Sequence, residues 1–144
     1  MSKHQTLMPY LIVQNGLQAL KFYEEAFDAE TEFLLMDDDG KRVLHAMLEI
    51  DENVFYLCDE SGADDAVSPE TLGKASVIIH LFLKKPKHVD AIMARAIDHG
   101  ARIVMAAHDA SWGDRYGKIR DPFGHVWSFG AHIKSKSADA VGHA

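Results

Sequence analysis

Apolar and polar positions along the first half of the chain follow first the spacing of a strand and then that of a helix. The apolar run LMPYLIV at residues 7–13 is rich in strand-forming residues and predicts a strand that begins near Pro9. Asn15-Gly16 marks the turn after it, with Asn15 as the expected N-cap of a helix. The apolar positions that predict this helix are Leu17, Leu20, Tyr23 and Phe27.

Three strand-like segments follow this helix, over residues 31–36, 43–50 and 54–58. The polar sequences DDDG at 37–40 and DEN at 51–53 separate them, which favours hairpin turns. The first half of the chain is therefore predicted to have the order βαβββ.

The middle one of these three strands alternates between apolar and polar residues. Because successive side chains of a strand point to opposite faces, one face is predicted to pack against the helix. That face carries Leu44, Ala46, Leu48 and Ile50. The other face is predicted to turn away from the helix, and it carries His45, Met47 and Glu49.

The same pattern returns in the second half, after a long polar connection over residues 59–74. A strand over 76–83 precedes a helix that opens at Lys85-Pro86, where proline suits the first turn, and that ends before Gly100. The buried stripe of this helix is predicted to be Val89, Ile92, Met93, Ala96 and Ile97. Three further strands are predicted at 101–105, 115–120 and 125–130.

Equivalent positions of the two halves lie 70 residues apart. The pairs related by this offset are Val13 and Leu83, Asp28 and Asp98, and Asp51 and Asp121. Beyond the second of these turns the second copy is longer by about two residues, so that Val54 corresponds to Val126. Three coincidences at one offset, each at an element boundary, predict an internal duplication.

We therefore predict one domain over residues 1–132, followed by a flexible tail at 133–144. The domain consists of a module at 6–58, the connection at 59–74 and a second module at 75–132. At 144 residues the chain is long enough to bury a sizeable apolar core.

Two stretches carry a resemblance to a known family: PYLIVQNGLQALKFYEEAF in the first module and WGDRYGKIRDPFGHVWSFG in the second. Together with the doubled βαβββ pattern, they resemble the vicinal oxygen chelate superfamily of glyoxalases, bleomycin-resistance proteins and extradiol dioxygenases. The chain is most similar to its PhnB-like branch. The resemblance covers about residues 6–132 and implies an α+β fold in which two modules form curled mixed sheets around a cavity. It also implies a homodimer, since two subunits often complete each site.

Enzymes of this superfamily hold a divalent metal ion with side chains from the first and last strands of each module. Carried onto this chain, those positions are Met8, Tyr56, Ile78 and Ser128. Such ions prefer imidazole nitrogens and carboxylate oxygens, whereas these positions offer a thioether, a hydrocarbon and two neutral hydroxyls. We therefore predict no metal ion and no cofactor, and a protein that binds a small molecule in the cavity.

Strand alternation and the repeat predict which side chains line that cavity. They are Tyr10, His45, Glu49, Tyr56, His80, Trp112 and Arg115. The repeat pairs Tyr10 with His80 and His45 with Arg115. The histidines can exchange a proton near neutral pH, and a guanidinium can bind a carboxylate or phosphate through two hydrogen bonds.

Structural alternatives stand beside these functional assignments. The two histidines can be hydrogen-bonded sheet residues, Arg115 can form an ion pair with Asp114, and Trp112 can plug a core or an interface. In the same second stretch, Asp121-Pro122-Phe123-Gly124 has the composition of a hairpin turn. Solvated positions are predicted for the remaining histidines, His4, His88, His99, His108, His125, His132 and His143.

Two other function classes stay open. One is a metal-dependent lyase, isomerase or dioxygenase of the same superfamily with displaced ligands, namely His45, His80 and Glu49. The other is an interaction or regulatory module whose cavity is closed by Trp112, Phe82 and Tyr10.

Composition and charge narrow the partners. The formal net charge of −7 argues against nucleic acid as a partner, because proteins bind its phosphates through clustered lysine and arginine side chains. No apolar run is long enough for a membrane helix and no leader pattern opens the chain, so a cytoplasmic location is expected. Cys58 is the single cysteine, which excludes an internal disulfide, and it is predicted to be an inert thiol. The glycine-rich phosphate loops and the nucleophile elbow of hydrolases are missing.

Overall fold

The computed structural model describes residues 5–134 and confirms the α+β fold predicted from the sequence. The chain divides into two compact units, with the division between Lys74 and Ala75. Each unit contains one four-stranded mixed sheet and a long helix packed on one side of it. Most of the predicted tail, together with His4 and His143, lies outside the described residues.

The first unit has the order βαβββ followed by one short helix. Its elements are β1 (Tyr10–Val13), α1 (Gly16–Phe27), β2 (Glu30–Met36), β3 (Val43–Ile50), β4 (Asn53–Asp59) and α2 (Pro69–Leu72). The strand order in the sheet is β1-β4-β3-β2, with β1 parallel to β4 and the other neighbours antiparallel. Helix α2 lies inside the predicted connection and begins at its cap Ser68, whose hydroxyl accepts the Thr71 N–H.

The second unit repeats this order. Its elements are β5 (Ile78–Phe82), α3 (Pro86–Asp98), β6 (Arg102–Asp109), β7 (Asp114–Arg120) and β8 (Val126–His132). The strand order is β5-β8-β7-β6, with β5 parallel to β8. Within residues 5–134, no helix is long and apolar enough to cross a membrane.

Helix α1 begins where the sequence predicts. The Asn15 side chain accepts a hydrogen bond from the Gln18 N–H at 3.1 Å, and the helix ends at Asp28 in the left-handed conformation. Its buried face differs from the predicted stripe, because Leu17 is exposed. The buried side chains are Ala19, Leu20, Phe22, Tyr23, Ala26 and Phe27.

Strand β3 departs from the predicted alternation at its start. Leu44, expected on the helix side, is 45% exposed, whereas Val43 is buried. The cause is an irregularity in the β2–β3 pairing, where Leu35 is opposite His45 but Met36 is opposite Val43. From Ala46 onward the alternation is as predicted, with Ala46, Leu48 and Ile50 buried against the helix side.

Strand pairing confirms the duplication and corrects its register. Tyr10 is opposite Tyr56 in the first unit, and His80 is opposite Ser128 in the second. The first strands are thus related by 70 residues and the last strands by 72 residues. The third strands are related by 71, because Met47 is opposite Tyr56 and Lys118 is opposite Ser128.

The expected pairing of His45 with Arg115 is therefore wrong by one residue. His45 corresponds to Tyr116, and Arg115 takes the opposite face of its sheet. The two extra residues of the second copy enter separately, one before the third strand and one after it. The sequence comparison had placed both after the third strand.

The turn at residues 121–124 explains part of the stretch WGDRYGKIRDPFGH. Asp121 accepts hydrogen bonds from the N–H groups of Phe123 and His125 through one carboxylate oxygen. Its other oxygen accepts the Trp127 indole N–H at 2.9 Å. These residues form a buried structural turn, as predicted.

Candidate functional site

Each sheet has a face turned away from its long helix, called here the helix-distal face. In the first unit this face carries a group of rings, named the Tyr10 cluster, which consists of Tyr10, Phe33, His45 and Tyr56. The Tyr10 hydroxyl and His45 Nδ1 are hydrogen-bonded at 2.8 Å. The Tyr56 ring lies 4.7 Å from His45 and 5.3 Å from Tyr10, edge to face in both cases. Strand alternation predicted that Tyr10, His45 and Tyr56 share this face, whereas Phe33 was not predicted there.

Burial keeps the proton on two groups of this face, the Tyr10 hydroxyl and the thiol of neighbouring Cys58. Partial burial raises the pKa of Tyr10, and neighbouring Cys58 raises it further. Burial likewise raises the pKa of the Cys58 thiol. A thiol that holds its proton at neutral pH is a poor nucleophile, so this cysteine does not have the character of a catalytic group.

Glu49 lies on the same face but serves the adjoining turn. Its Oε2 accepts the N–H of Glu52 at 3.1 Å. Glu52 and Asp51 both have positive φ angles, so the carboxylate stabilises a turn of unusual backbone conformation. The structure therefore places Glu49 beside the hairpin turn, where it supports the backbone.

In the second unit, the His80 ring crosses a strip of small residues on the helix-distal face. Its Nδ1 lies 2.7 Å from the hydroxyl of Ser128, which is buried. A Cβ on Gly130 would lie 3.0 Å from His80 Cε1, so the imidazole passes directly over this glycine. The ring ends stacked near Tyr116, at a centroid distance of 6.0 Å and an angle of 20°. Gly130 makes room for this stack.

Tyr116 is the centre of a second group of rings, named the Tyr116 cluster, which consists of His80, His108, Trp112 and Tyr116. Trp112 contacts Tyr116 edge to face at 5.5 Å, and His108 does so at 6.3 Å. His108, predicted to be solvated, is thus half-buried against a ring. Trp112 is 56% exposed, so it is a surface ring and not a core plug.

Asp114 lies at the edge of the Tyr116 cluster and is the charged group nearest its rings on strand β7. The Trp112 indole N–H donates to Asp114 Oδ2 at 3.2 Å. Partial burial lowers the pKa of His80, and the Asp114 carboxylate acts in the opposite direction. At neutral pH, His80 is therefore an uncharged imidazole beside a carboxylate.

Arg115 lies on the helix side of its sheet. Its guanidinium forms ion pairs with Asp90 of α3 at 2.9 Å and with Asp109 of β6 at 3.1 Å. Hydrogen bonds to these two carboxylates raise its pKa. The face predicted for Arg115 is therefore wrong, because a one-residue register difference reverses it. The ion-pair partners are Asp90 and Asp109 and not Asp114, the alternative that the sequence left open.

The positions that hold metal in the superfamily do not fit an ion here. Ile78 offers a hydrocarbon, Ser128 is hydrogen-bonded to an imidazole, and Tyr56 packs in a ring cluster. Across residues 5–134, no group of three His, Cys, Asp or Glu side chains is arranged to hold a metal ion. The displaced-ligand hypothesis gains no support from this arrangement.

Tyr116 and Asp114 lie in this candidate site but are not among the lining residues predicted from the sequence, where Asp114 has only a structural role as an ion-pair partner. Both belong to strand β7, where the wrong offset assigned Arg115 to the helix-distal face. The signal that could have found them was the strip Ser128-x-Gly130, since two small residues on one face of a central strand predict a close approach by neighbouring side chains.

Comparisons with known proteins agree with the fold. Residues 4–129 match the family model described as the Glyoxalase/Bleomycin resistance protein/Dioxygenase superfamily. Uncharacterized protein Rv0887c of Mycobacterium tuberculosis is 38% identical over 138 residues, which cover 94% of this chain and 79% of the relative. The structure of the PhnB protein from Bacillus cereus has a TM-score of 0.70 at 16% identity, with 88% of this chain and 99% of that chain covered.

A further solved structure is that of the fosfomycin resistance protein FosX from Listeria monocytogenes, in complex with Mn(II) and 1S,2S-dihydroxypropylphosphonic acid. It has a TM-score of 0.66 at 14% identity, with 92% of this chain and 93% of that chain covered. At this identity the likeness concerns the fold.

Proposed function

The chain belongs to the glyoxalase/bleomycin resistance protein/dioxygenase superfamily, with PhnB-like structural neighbours, and from this premise we propose that it binds a small organic molecule without the superfamily's usual metal ion. The site is the helix-distal face of its sheets. The ligand is an aromatic or other planar molecule that packs against the rings of one of these faces, either the Tyr10 cluster in the first unit or the Tyr116 cluster in the second.

The observation that carries this proposal is the exposure of rings on both helix-distal faces. Tyr10 is 50% exposed and Trp112 is 56% exposed, and Phe33 and Phe82 are exposed as well. Exposed apolar rings next to a few polar groups are typical of small-molecule sites. The exposure also disfavours a module in which Trp112, Phe82 and Tyr10 fill a closed interior.

The roles of the individual residues follow from their contacts. In the first unit, Tyr10, His45 and Tyr56 supply ring surface and hydrogen-bonding groups. In the second unit, Trp112 and Tyr116 supply ring surface, and His80 supplies Nε2, since its Nδ1 is engaged by Ser128.

Nuclear magnetic resonance tests the proposal, because the two tryptophans are matched reporters. The indole N–H of Trp112 lies in the Tyr116 cluster, whereas that of Trp127 is buried and bonded to Asp121. Titration with 1-naphthalenemethanol, an uncharged aromatic probe, is expected to shift the Trp112 resonance saturably and leave that of Trp127 in place. The variant Trp112→Phe assigns the two resonances.

Variants sharpen this test. Tyr116→Ala is expected to weaken probe binding about three- to tenfold, the value of one aromatic contact. Leu72→Ala removes an exposed apolar side chain on α2, which belongs to neither ring cluster, and is expected to leave binding unchanged. If neither the Trp112 indole nor the backbone amides of residues 10, 45 and 56 respond to the probe, the proposed function is wrong.

We also propose that the protein is a homodimer. Support comes from the edge strands, where Phe33, Leu34 and Leu35 of β2 are exposed in the first unit and Ile103, Val104 and Met105 of β6 are exposed in the second. Three consecutive exposed apolar residues on an edge strand favour association. Light scattering at micromolar concentration checks this, and a monomer would contradict it. The cytoplasmic location and the lack of nucleic-acid binding stay predictions.

A further inference from the structure

Three aspartates of the described chain are buried, and one of them differs from the other two. Asp59 accepts the backbone N–H groups of Gly16 and Val43, one on each oxygen. Asp121 likewise has hydrogen-bond donors on both oxygens. Asp114 is only 9% exposed, yet its Oδ1 is buried and accepts no hydrogen bond from any described residue. A buried carboxylate oxygen without a donor is costly, and a functional role is one of the explanations for such an atom.

The surroundings of Asp114 on the helix-distal face are rings. The Trp112 and Tyr116 rings pack edge to face, and the His80 ring stacks on Tyr116. Ring faces carry partial negative charge, so a carboxylate beside exposed rings favours a cation.

Basic groups near Asp114 are either engaged or distant. Arg115 is on the other face and paired with two carboxylates. Lys118 is on the same face but four residues along β7, about 13 Å away at the spacing of a strand. His80 interacts with the carboxylate electrostatically, and His132 lies opposite Asp114 in the β7–β8 pairing. No lysine or arginine of the described chain bonds to Asp114 Oδ1.

We propose that Asp114, Trp112 and Tyr116 form a subsite for the protonated amine of an aromatic ligand. This inference rests on the proposed function and narrows its ligand to an aromatic ammonium compound. The ammonium donates to Asp114 Oδ1 and lies against the Tyr116 ring, while the aromatic part packs on the cluster.

Ligand access to Asp114 is expected to involve a movement of the Trp112 indole, which is bonded to the other carboxylate oxygen. A single hydrogen bond of 3.2 Å joins this ring to the carboxylate, which is long for a bond to a charged acceptor. Trp112 belongs to the turn before β7, next to Gly113 at a φ of +98°. An exposed side chain on such a turn can leave the carboxylate without disturbing the sheet.

A charge series of probes on the full chain tests the subsite. The probes are 1-naphthylmethylamine, 1-naphthalenemethanol and 1-naphthoate, which share one ring system and are cationic, neutral and anionic at pH 7. The Trp112 indole resonance and calorimetry report binding. The amine is expected to bind about tenfold more tightly than the alcohol, and the carboxylate more weakly than both.

Two aspartate variants separate the subsite from the general negative charge of the protein. Asp114→Asn is expected to reduce the affinity for the amine to that for the alcohol and to leave the alcohol unaffected. Asp98→Asn removes the same charge at the end of α3, on the other side of the sheet, and is expected to preserve the tenfold preference. An unchanged Trp127 resonance verifies that each variant is folded.

Trp112→Phe supplies an independent measurement, should Asp114→Asn fail to fold. It keeps a ring but removes the indole N–H that competes for the carboxylate, so the preference for the amine is expected to persist or increase. Equal binding of amine and alcohol to the wild-type protein would overturn the subsite and leave the proposed function intact. Failure of all three probes to bind would overturn both.

Discussion

The two units share one architecture but use it differently on their helix-distal faces. In the first unit the first strand supplies a tyrosine and the third a histidine, Tyr10 and His45. In the second unit the same positions hold His80 and Tyr116. The last strand differs more, because Tyr56 and Cys58 correspond to Ser128 and Gly130.

This difference in side-chain size makes the second face the better candidate for a ligand site. Tyr56 fills the centre of the first face and packs against both partners. Ser128 and Gly130 have small side chains, so the His80 ring lies over the centre of the second face. The buried carboxylate of Asp114 lies at the edge of this cluster. The two units thus keep their ring positions, while the small residues in one strand of the second unit leave space for the His80 ring.

A second contrast concerns the start of each long helix. In the first unit the buried N–H groups of Gly16 and Val43 donate to Asp59. In the second unit Pro86 stands at the position of Gly16 and has no N–H, and Ala131 stands at the position of Asp59. The second unit thus lacks both the N–H group that Gly16 supplies in the first unit and the carboxylate that accepts it, so the loss of the acceptor leaves no N–H group of Pro86 unpaired.

The largest expected effect comes from breaking that arrangement in the first unit. Asp59→Ala leaves two buried N–H groups without acceptors and is expected to lower the free energy of unfolding by about 2–5 kcal/mol. Urea denaturation measures it. Asp38→Ala, which removes the same charge from an exposed turn, is expected to change the value by less than about 0.5 kcal/mol. Equal effects of the two variants would contradict the buried role of Asp59.

The next largest effect on stability is expected where helix α3 packs closely on strand β7 at Gly117. Gly117 corresponds to Ala46, and a Cβ on Gly117 would meet Met93 Sδ and lie 3.2 Å from the Cα of Ala107. Gly117→Ala is expected to lower the free energy of unfolding by about 1–3 kcal/mol through overpacking. In a Met93→Ala background the penalty of Gly117→Ala should shrink, because the sulfur is gone. A penalty that is the same in both backgrounds would assign the cost to the backbone of β6.

Most of the fold could be predicted from spacing alone. The order of strands and helices, the Asn15 cap and the turn at residues 121–124 depend on local patterns that no distant contact overrides. The offset of 70 residues between first strands was also visible, because it is a property of the sequence.

The sites of single-residue insertions could not be predicted. One extra residue before a strand leaves the composition of the strand unchanged, yet it moves every side chain of the strand to the opposite face of the sheet relative to the other copy. This is why Arg115 was expected on the wrong side and Tyr116 was missed. The exposure of Leu44 has the same origin, an irregular pairing at Leu35 and Met36 that leaves no mark in the sequence.

His80 of the second unit is expected to make the stability of the protein depend on pH. Because partial burial lowers the pKa of His80 from 6.5, the unfolded chain binds this proton more readily than the folded chain. The contribution of His80 to stability is therefore present above pH 6.5 and is lost as the pH falls. We expect a titration midpoint below 6.5 by nuclear magnetic resonance, and a still lower one in Asp114→Asn. A midpoint at or above 6.5 would show that His80 is stabilised in its charged form.

The smallest expected effect separates the two faces of strand β7. Arg115→Gln removes two partly exposed ion pairs, with Asp90 and Asp109, and is expected to cost less than about 1 kcal/mol of stability. Because Arg115 lies on the helix side, the variant should bind 1-naphthalenemethanol as the wild type does, whereas Tyr116→Ala, one residue along, should not. Weaker probe binding in Arg115→Gln would contradict the proposal that the ligand binds on the helix-distal face.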